Sequence, residues 1–213
     1  MSRPMNSLEF WEWFASNAAQ LALSPEDEDL IKRLDDRIHS TWPQLSWEIG
    51  PDVGGGWQLT LSPNLNPSLQ QMAAKAVSEA PVVPGWKFYA HRQRKQWDGQ
   101  FEMESKGQTI LLDTTKWRFA LIRHPDQETE IKLYSPEAHS LEPDELWHAA
   151  AIALEGILGE RRMLEEVKHF SVEFQHTPTP QTRTMPIEHL HHSLNGTDPT
   201  PPHAGSNTIR PSN

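Results

Sequence analysis

All nine tryptophans of the 213-residue chain lie between Trp11 and Trp147, and this placement constrains the fold more than any other feature. A tryptophan is a large apolar ring with one polar handle, so a segment rich in them has to gather them around a core. Thr177 to Asn213 carry none and hold seven of the eighteen prolines instead. A segment of that composition buries too little apolar surface to offset its ordering entropy. The chain therefore reads as a single domain over residues 1–176, of ordinary domain size, followed by a disordered Pro- and His-containing tail over 177–213.

Within the body, hydrophobic periodicity places the elements. Ser7 caps a helix whose Phe10, Trp11, Phe14, Ala18 and Leu21 form one apolar face, with Trp13 off that stripe. Ser24-Pro25-Glu26-Asp27-Glu28 reads as a second helix start, with a cap, a proline in the first turn and acids matched to the positive end of the dipole. Its stripe Leu30, Ile31, Leu34, Ile38 ends at Trp42-Pro43. Leu45, Trp47, Ile49 and then Trp57, Leu59, Leu61 alternate with polar residues around Pro51 to Gly56, which predicts a hairpin. Asn66-Pro67 opens a third helix.

Strands follow at Trp86 to Ala90, Phe101 to Met103, Thr109 to Leu112, and Trp117 to Ile122 paired with Glu130 to Tyr134. A helix start at Ser140 to Asp144 leads into the stripe Leu146, Trp147, Ala150, Leu154, Ile157, Leu158, closed by Gly159. Phe170, Val172 and Phe174 alternate in a last strand. Helices grouped around largely antiparallel strands predict an α+β fold, with amphipathic helices packed on one side of the sheet.

Composition narrows the function classes. There are no cysteines, which removes disulfides, thiolate metal sites and a cysteine nucleophile, and fits a reducing compartment. The N-terminus lacks the apolar run of a signal peptide, and no stretch approaches the roughly 20 apolar residues of a membrane span, so a cytoplasmic protein with no membrane partner is expected. In the tail, Arg183 and Arg210 balance Glu188 and Asp198, so the net charge of −10 belongs to the body. Counterion release from nucleic acid needs the opposite sign, and nucleic acid is not an expected partner. The run His91-Arg92-Gln93-Arg94-Lys95 beside Trp97 is the one basic segment, and it reads as a solvated strand end.

Local catalytic signatures are missing. Gly54-Gly55-Gly56 joins two strands and has neither the GxGxxG spacing nor a following Lys-Ser or Lys-Thr. No HExxH, nucleophile elbow or kinase set occurs. The residues with chemical potential are the strand-end groups His91, Arg92, Arg94, Arg123 and His124. Brought together, their arginines would hold a carboxylate or phosphate bidentately. Asp113, after Ile110-Leu111-Leu112, is the best-placed acid for catalysis, though a residue at such a position is more often an ordinary strand-ending turn residue. His189, His191 and His192 on a flexible chain bind metals only adventitiously. No metal and no cofactor is expected.

Four segments taken in order, Phe10-Trp11-Glu12-Trp13-Phe14, Trp47-Glu48-Ile49-Gly50-Pro51, Gly85-Trp86-Lys87-Phe88 with Arg92 and Arg94, and Ile157-Leu158-Gly159-Glu160, resemble a loosely defined group of bacterial cytoplasmic proteins. These are short α+β chains that open on an FWxWF-like helix, without established activity or catalytic residues. The resemblance covers about residues 8 to 175. It departs at His91, where an aromatic or apolar residue is expected, and in the added tail.

Two functional readings follow. One is a non-enzymatic interaction module, chaperone-like or immunity-like, whose acidic body selects a basic protein partner, with Trp13 and Trp97, the tryptophans off the core stripes, as its partner surface. The other is a small hydrolase or transferase using Asp113 with the His91, Arg92, Arg94 and Arg123 cluster.

Overall fold

A computed structural model describes residues 6–124, 128–138, 140–174 and 184–195. The fold is α+β. Helices α1 (Ser7–Leu23) and α2 (Glu28–Thr41) precede the hairpin β1 (Ser46–Pro51) and β2 (Trp57–Ser62). Helix α3 (Gln70–Ser78) then crosses over to β3 (Trp86–Tyr89), which lies parallel to β2. A second hairpin, β4 (Gln100–Ser105) and β5 (Gln108–Asp113), forms a sheet of its own.

A third hairpin, β6 (Arg118–Arg123) and β7 (Thr129–Ser135), is followed by α4 (Pro143–Leu158), α5 (Glu160–Glu166) and β8 (His169–Phe174), which lies parallel to β7. The same order therefore occurs twice: antiparallel hairpin, helical crossover, and a third strand parallel to the second. Parallel neighbours need such a crossover because a tight turn cannot reverse the chain twice. Sequence periodicity had indicated the strands; it carried no sign that two of their pairings are parallel.

Each unit has its own apolar cluster. In the first, Phe10, Trp11 and Phe14 of α1 meet Leu30, Leu34 and Ile38 of α2 and Leu59 and Leu61 of β2, with Trp42 and Trp86 at the margins. Edge-to-face rings run through it: Phe14 meets Trp86 at 4.9 Å, and Trp11 meets Phe88 at 4.8 Å. The buried indoles find acceptors, Trp11 on the Ala76 carbonyl and Trp86 on the Ala18 carbonyl. In the second cluster Trp117, Phe119, Ile131 and Leu133 receive Ala149, Ala150, Ala153 and Leu154 of α4. The small residues of α4 let the helix lie close to the sheet. The inner side of the β4–β5 hairpin, Phe101, Met103, Ile110 and Leu112, packs against the same cluster.

Helix starts differ from the sequence reading by a few residues. Asn6, not Ser7, caps α1, in a reciprocal box with Glu9. Asp27 caps α2 by accepting the Leu30 N–H at 3.0 Å, while Ser24 and Pro25 belong to the preceding turn. Carboxylate and amide side chains compete well with serine for this position.

The segment after residue 176 departs further from expectation. Strand β9 (Met185–Pro186) pairs with Arg118 and Phe119 of β6, and a helical turn leads into α6 (Leu190–Leu194). Ile187 and Leu190 are buried in the second cluster. The composition of the whole tail hid a short stretch, Met185, Ile187, Leu190 and Leu194, with enough apolar surface to dock. The remainder of the expected tail, 177–183 and 196–213, lies outside the described residues.

Candidate functional site

The two halves meet along the segment that follows β3. Its backbone is pinned to the end of α4 and the start of α5. The Arg92 N–H donates to the Glu160 carboxylate at 3.0 Å, the Glu160 N–H donates to the Arg92 carbonyl at 3.0 Å, and the Lys95 N–H donates to the Gly156 carbonyl at 2.8 Å. Two glycines make the approach possible. A Cβ on Gly156 would lie 2.5 Å from the Trp97 ring, and one on Gly159 would lie 3.1 Å from the Arg94 nitrogen. Trp97, seated on Gly156, stacks on Phe101 with centroids 5.7 Å apart.

Glu160 is fully buried, and besides the Arg92 N–H its carboxylate accepts the Ser62 hydroxyl and the Leu65 N–H, each at 2.8 Å. A buried carboxylate is tolerable only with donors of this kind around it. Beside it, the Arg92 guanidinium reaches Asn64 at 3.2 Å, Glu155 at 3.3 Å and Glu48 at 3.9 Å. Burial pushes the Glu155 carboxyl above its ordinary range, and Arg92 opposes that shift.

Next to this junction opens a cleft of about 1020 Å³. One wall is β1, the β1–β2 connector and Tyr89; the other is the 93–99 segment with Thr114, Thr115, Ile157, Ile187 and Glu188. Asp52 organises the first wall. Its nearly buried carboxylate accepts from Lys87 Nζ, from the Tyr89 hydroxyl at 2.8 Å and from the Gly54 N–H at 2.8 Å. The hydrogen bonds from Lys87 and then Tyr89 hold the Asp52 carboxyl below the usual carboxylate range, and burial raises the Tyr89 phenol.

The residues singled out from sequence fall into separate places. His91, Arg92 and Arg94 share the pinned segment. Nε2 of His91 is buried without a hydrogen-bond partner, and burial lowers the pKa of its ring against the pull of Glu160. Arg94 lines the cleft. Arg123 ends β6, and His124 beyond it faces Glu130 of β7 at 3.2 Å; neither lines the cleft, and Pro125 and Asp126 lie outside the described residues. Asp113 caps the turn 114–116, accepting the Thr115 N–H at 3.0 Å, with Lys116 at 3.6 Å. The Thr115 hydroxyl and N–H lower its carboxyl.

Trp13 is half-buried under the Arg37 guanidinium, 4.7 Å from its ring centre. The most exposed tryptophan is instead Trp147, 48% accessible and stacked on Phe170 at 5.2 Å. Among the described residues no group of three or more His, Asp or Glu is placed to hold a metal. None of their helices is long and apolar enough to cross a membrane.

Sequence reasoning assigned no role to Asp52, Glu155 or Glu160. Only Asp52 had a local signal, an Asp two residues before a glycine, which is the pattern of an Asx turn. The partners of Glu160 are 68 to 98 positions away. No protein-family model matches the chain, and no curated protein matches it significantly.

Proposed function

We propose that the chain is a non-enzymatic interaction module that takes a basic protein partner on the surface formed by the β4–β5 hairpin and the start of α4. The observation that carries this reading is two exposed apolar side chains, Leu111 and Trp147, each set beside acids. On the outward side of the hairpin Leu111 is 62% accessible and lies opposite Glu102, with Glu104 next along the same face. The hairpin tip touches α4 through Ser105 on Glu145 at 2.7 Å and Lys106 on Glu142 at 2.8 Å. There Asp144 and the exposed Trp147, three positions apart, share a helix face. Exposed tryptophan is the side chain most often dominant in binding energy, and a rim of one charge sign selects and steers the opposite sign. The net charge of −10 extends that field over the molecule.

The test compares the wild-type chain with a Glu102→Lys/Glu104→Lys variant and a Trp147→Ala variant as immobilised baits in a cell lysate. A basic protein retained by wild type, released by ~0.5 M salt and bound at least about tenfold more weakly by both variants supports the reading. Equal retention by all three baits, or no retained protein, overturns it.

A further inference from the structure

The cleft between the two halves has a charge pattern different from the rest of this acidic molecule. Of the four acids on its lining, Glu48 and Asp52 are ion-paired within the protein. Glu48 faces Arg92 at 3.9 Å, Asp52 is held by Lys87 and Tyr89, Asp98 accepts the Gln100 N–H at 3.0 Å, and Glu188 faces His189 at 3.6 Å. Arg94 and Lys95, adjacent on the wall that also carries Asp98 and Glu188, have no side-chain hydrogen bond or ion pair among the described residues. The backbone beneath them is fixed, since the Lys95 N–H donates to the Gly156 carbonyl, Arg92 exchanges hydrogen bonds with Glu160, and Trp97 is seated on α4. Arg94 also acts on His191, whose Nδ1 is buried without a hydrogen-bond partner: after burial, Arg94 and Arg162 lower the pKa of its ring.

We propose that this cleft binds a small phosphate monoester, with the phosphate on Arg94 and Lys95. Two adjacent cations without ion-pair partners match the charge of about −1.5 to −2 of such a group at pH 7 better than the single charge of a carboxylate. A guanidinium fork and an ammonium on successive residues would supply both bidentate and point-charge contacts to it. Gln96, Thr115 and Tyr89 on the lining offer polar contacts to the rest of the ligand, and a cleft of about 1020 Å³ admits a whole small molecule.

The test is an amide NMR titration of the full chain at constant ionic strength with glycerol 2-phosphate, with acetate and a phosphoserine tetrapeptide in parallel arms. The expected result is saturable shifts confined to residues 93–99 and 114–115 with glycerol 2-phosphate. They should weaken at least about tenfold with acetate and be absent in the Arg94→Ala/Lys95→Ala variant. Both side chains are exposed, and an unchanged spectrum elsewhere shows that the variant is folded. Non-saturating shifts, equal shifts with acetate, or shifts that persist in the double variant overturn the site. Tighter binding of the peptide than of glycerol 2-phosphate overturns the small-molecule assignment. None of these outcomes depends on the hairpin surface proposed for the protein partner.

Discussion

Glu160 and Arg92 exchange two hydrogen bonds that both use backbone: the Glu160 carboxylate accepts the Arg92 N–H, and the Glu160 N–H donates to the Arg92 carbonyl, each at 3.0 Å. The same carboxylate holds Ser62 and Leu65 of the first half. One buried side chain on α5 therefore fastens three separate points of the preceding chain. Glu160→Ala leaves three donors without an acceptor and is expected to cost about 3 kcal/mol or more. Glu160→Gln keeps the shape but turns one acceptor into a donor, at about 1–3 kcal/mol. Urea unfolding measures both. A loss below about 0.5 kcal/mol for the alanine variant would show that the clamp does not hold the halves together.

Gly156 and Trp97 form a second fastening, by shape alone. A methyl group at position 156 would overlap Cζ2 of the indole at 2.5 Å. Gly156→Ala is expected to push Trp97 off α4 and to cost about 1–3 kcal/mol through overpacking. It should also move the Trp97 indole N–H signal in an NMR spectrum. Combining Gly156→Ala with Trp97→Ala removes the clash, so the two effects should be non-additive. Strict additivity would mean that the ring does not sit on the glycine.

The pH dependence follows from His91. Its ring pKa is lowered below the ordinary histidine value by burial, and Nε2 is buried with no acceptor for an added proton. The unfolded chain therefore binds a proton at higher pH than the folded one, and the stability contribution is complete above about pH 6.5. It is lost as pH falls through the lower folded value. Glu160 and Glu165 oppose the shift and Arg161 adds to it. Chemical denaturation midpoints at pH 7.5 and 5.5 are expected to differ less in His91→Phe than in wild type. An unchanged difference would exclude His91 as a source of the acid sensitivity.

Much of the architecture is legible in local pattern. Apolar stripes at helical spacing placed α1, α2 and α4, and alternation placed the strands, because burial on one face leaves a period that a reader can count. The register of β6 on β7, with Phe119 opposite Leu133, agrees with the pairing read from Trp117 to Ile122 and Glu130 to Tyr134. Parallel pairing of β2 with β3, the division into three sheets and the repeat of the topology leave no local trace, since they depend on which distant elements share a core.

The site divides the same way. His91, Arg92 and Arg94 stand out as a basic run, but what each does depends on Glu160, Glu155 and the cleft, all contributed by residues far along the chain. Trp97, singled out because it lies off the core stripes, owes that position to its packing on Gly156 and Phe101. A single glycine inside a helical stripe does not announce which ring will rest on it.

Residues 184–195 show where composition misleads. Averaged over Thr177 to Asn213 the chain is rich in proline and free of tryptophan, yet Leu190 is fully buried and the Ile187 N–H donates to the Trp117 carbonyl at 3.0 Å. Thr184 receives the Arg118 guanidinium at 2.7 and 2.8 Å. The segment thus closes the outer side of β6 and covers Trp117 and Phe119. Leu190→Ala removes a buried isobutyl group and should cost about 2–5 kcal/mol. Truncation after residue 176 removes Ile187 and Leu190 together and should cost more, because it also exposes the edge of β6. Thermal or urea unfolding of the two variants decides the matter: if both unfold with the wild-type midpoint, the segment is not part of the folded body in solution.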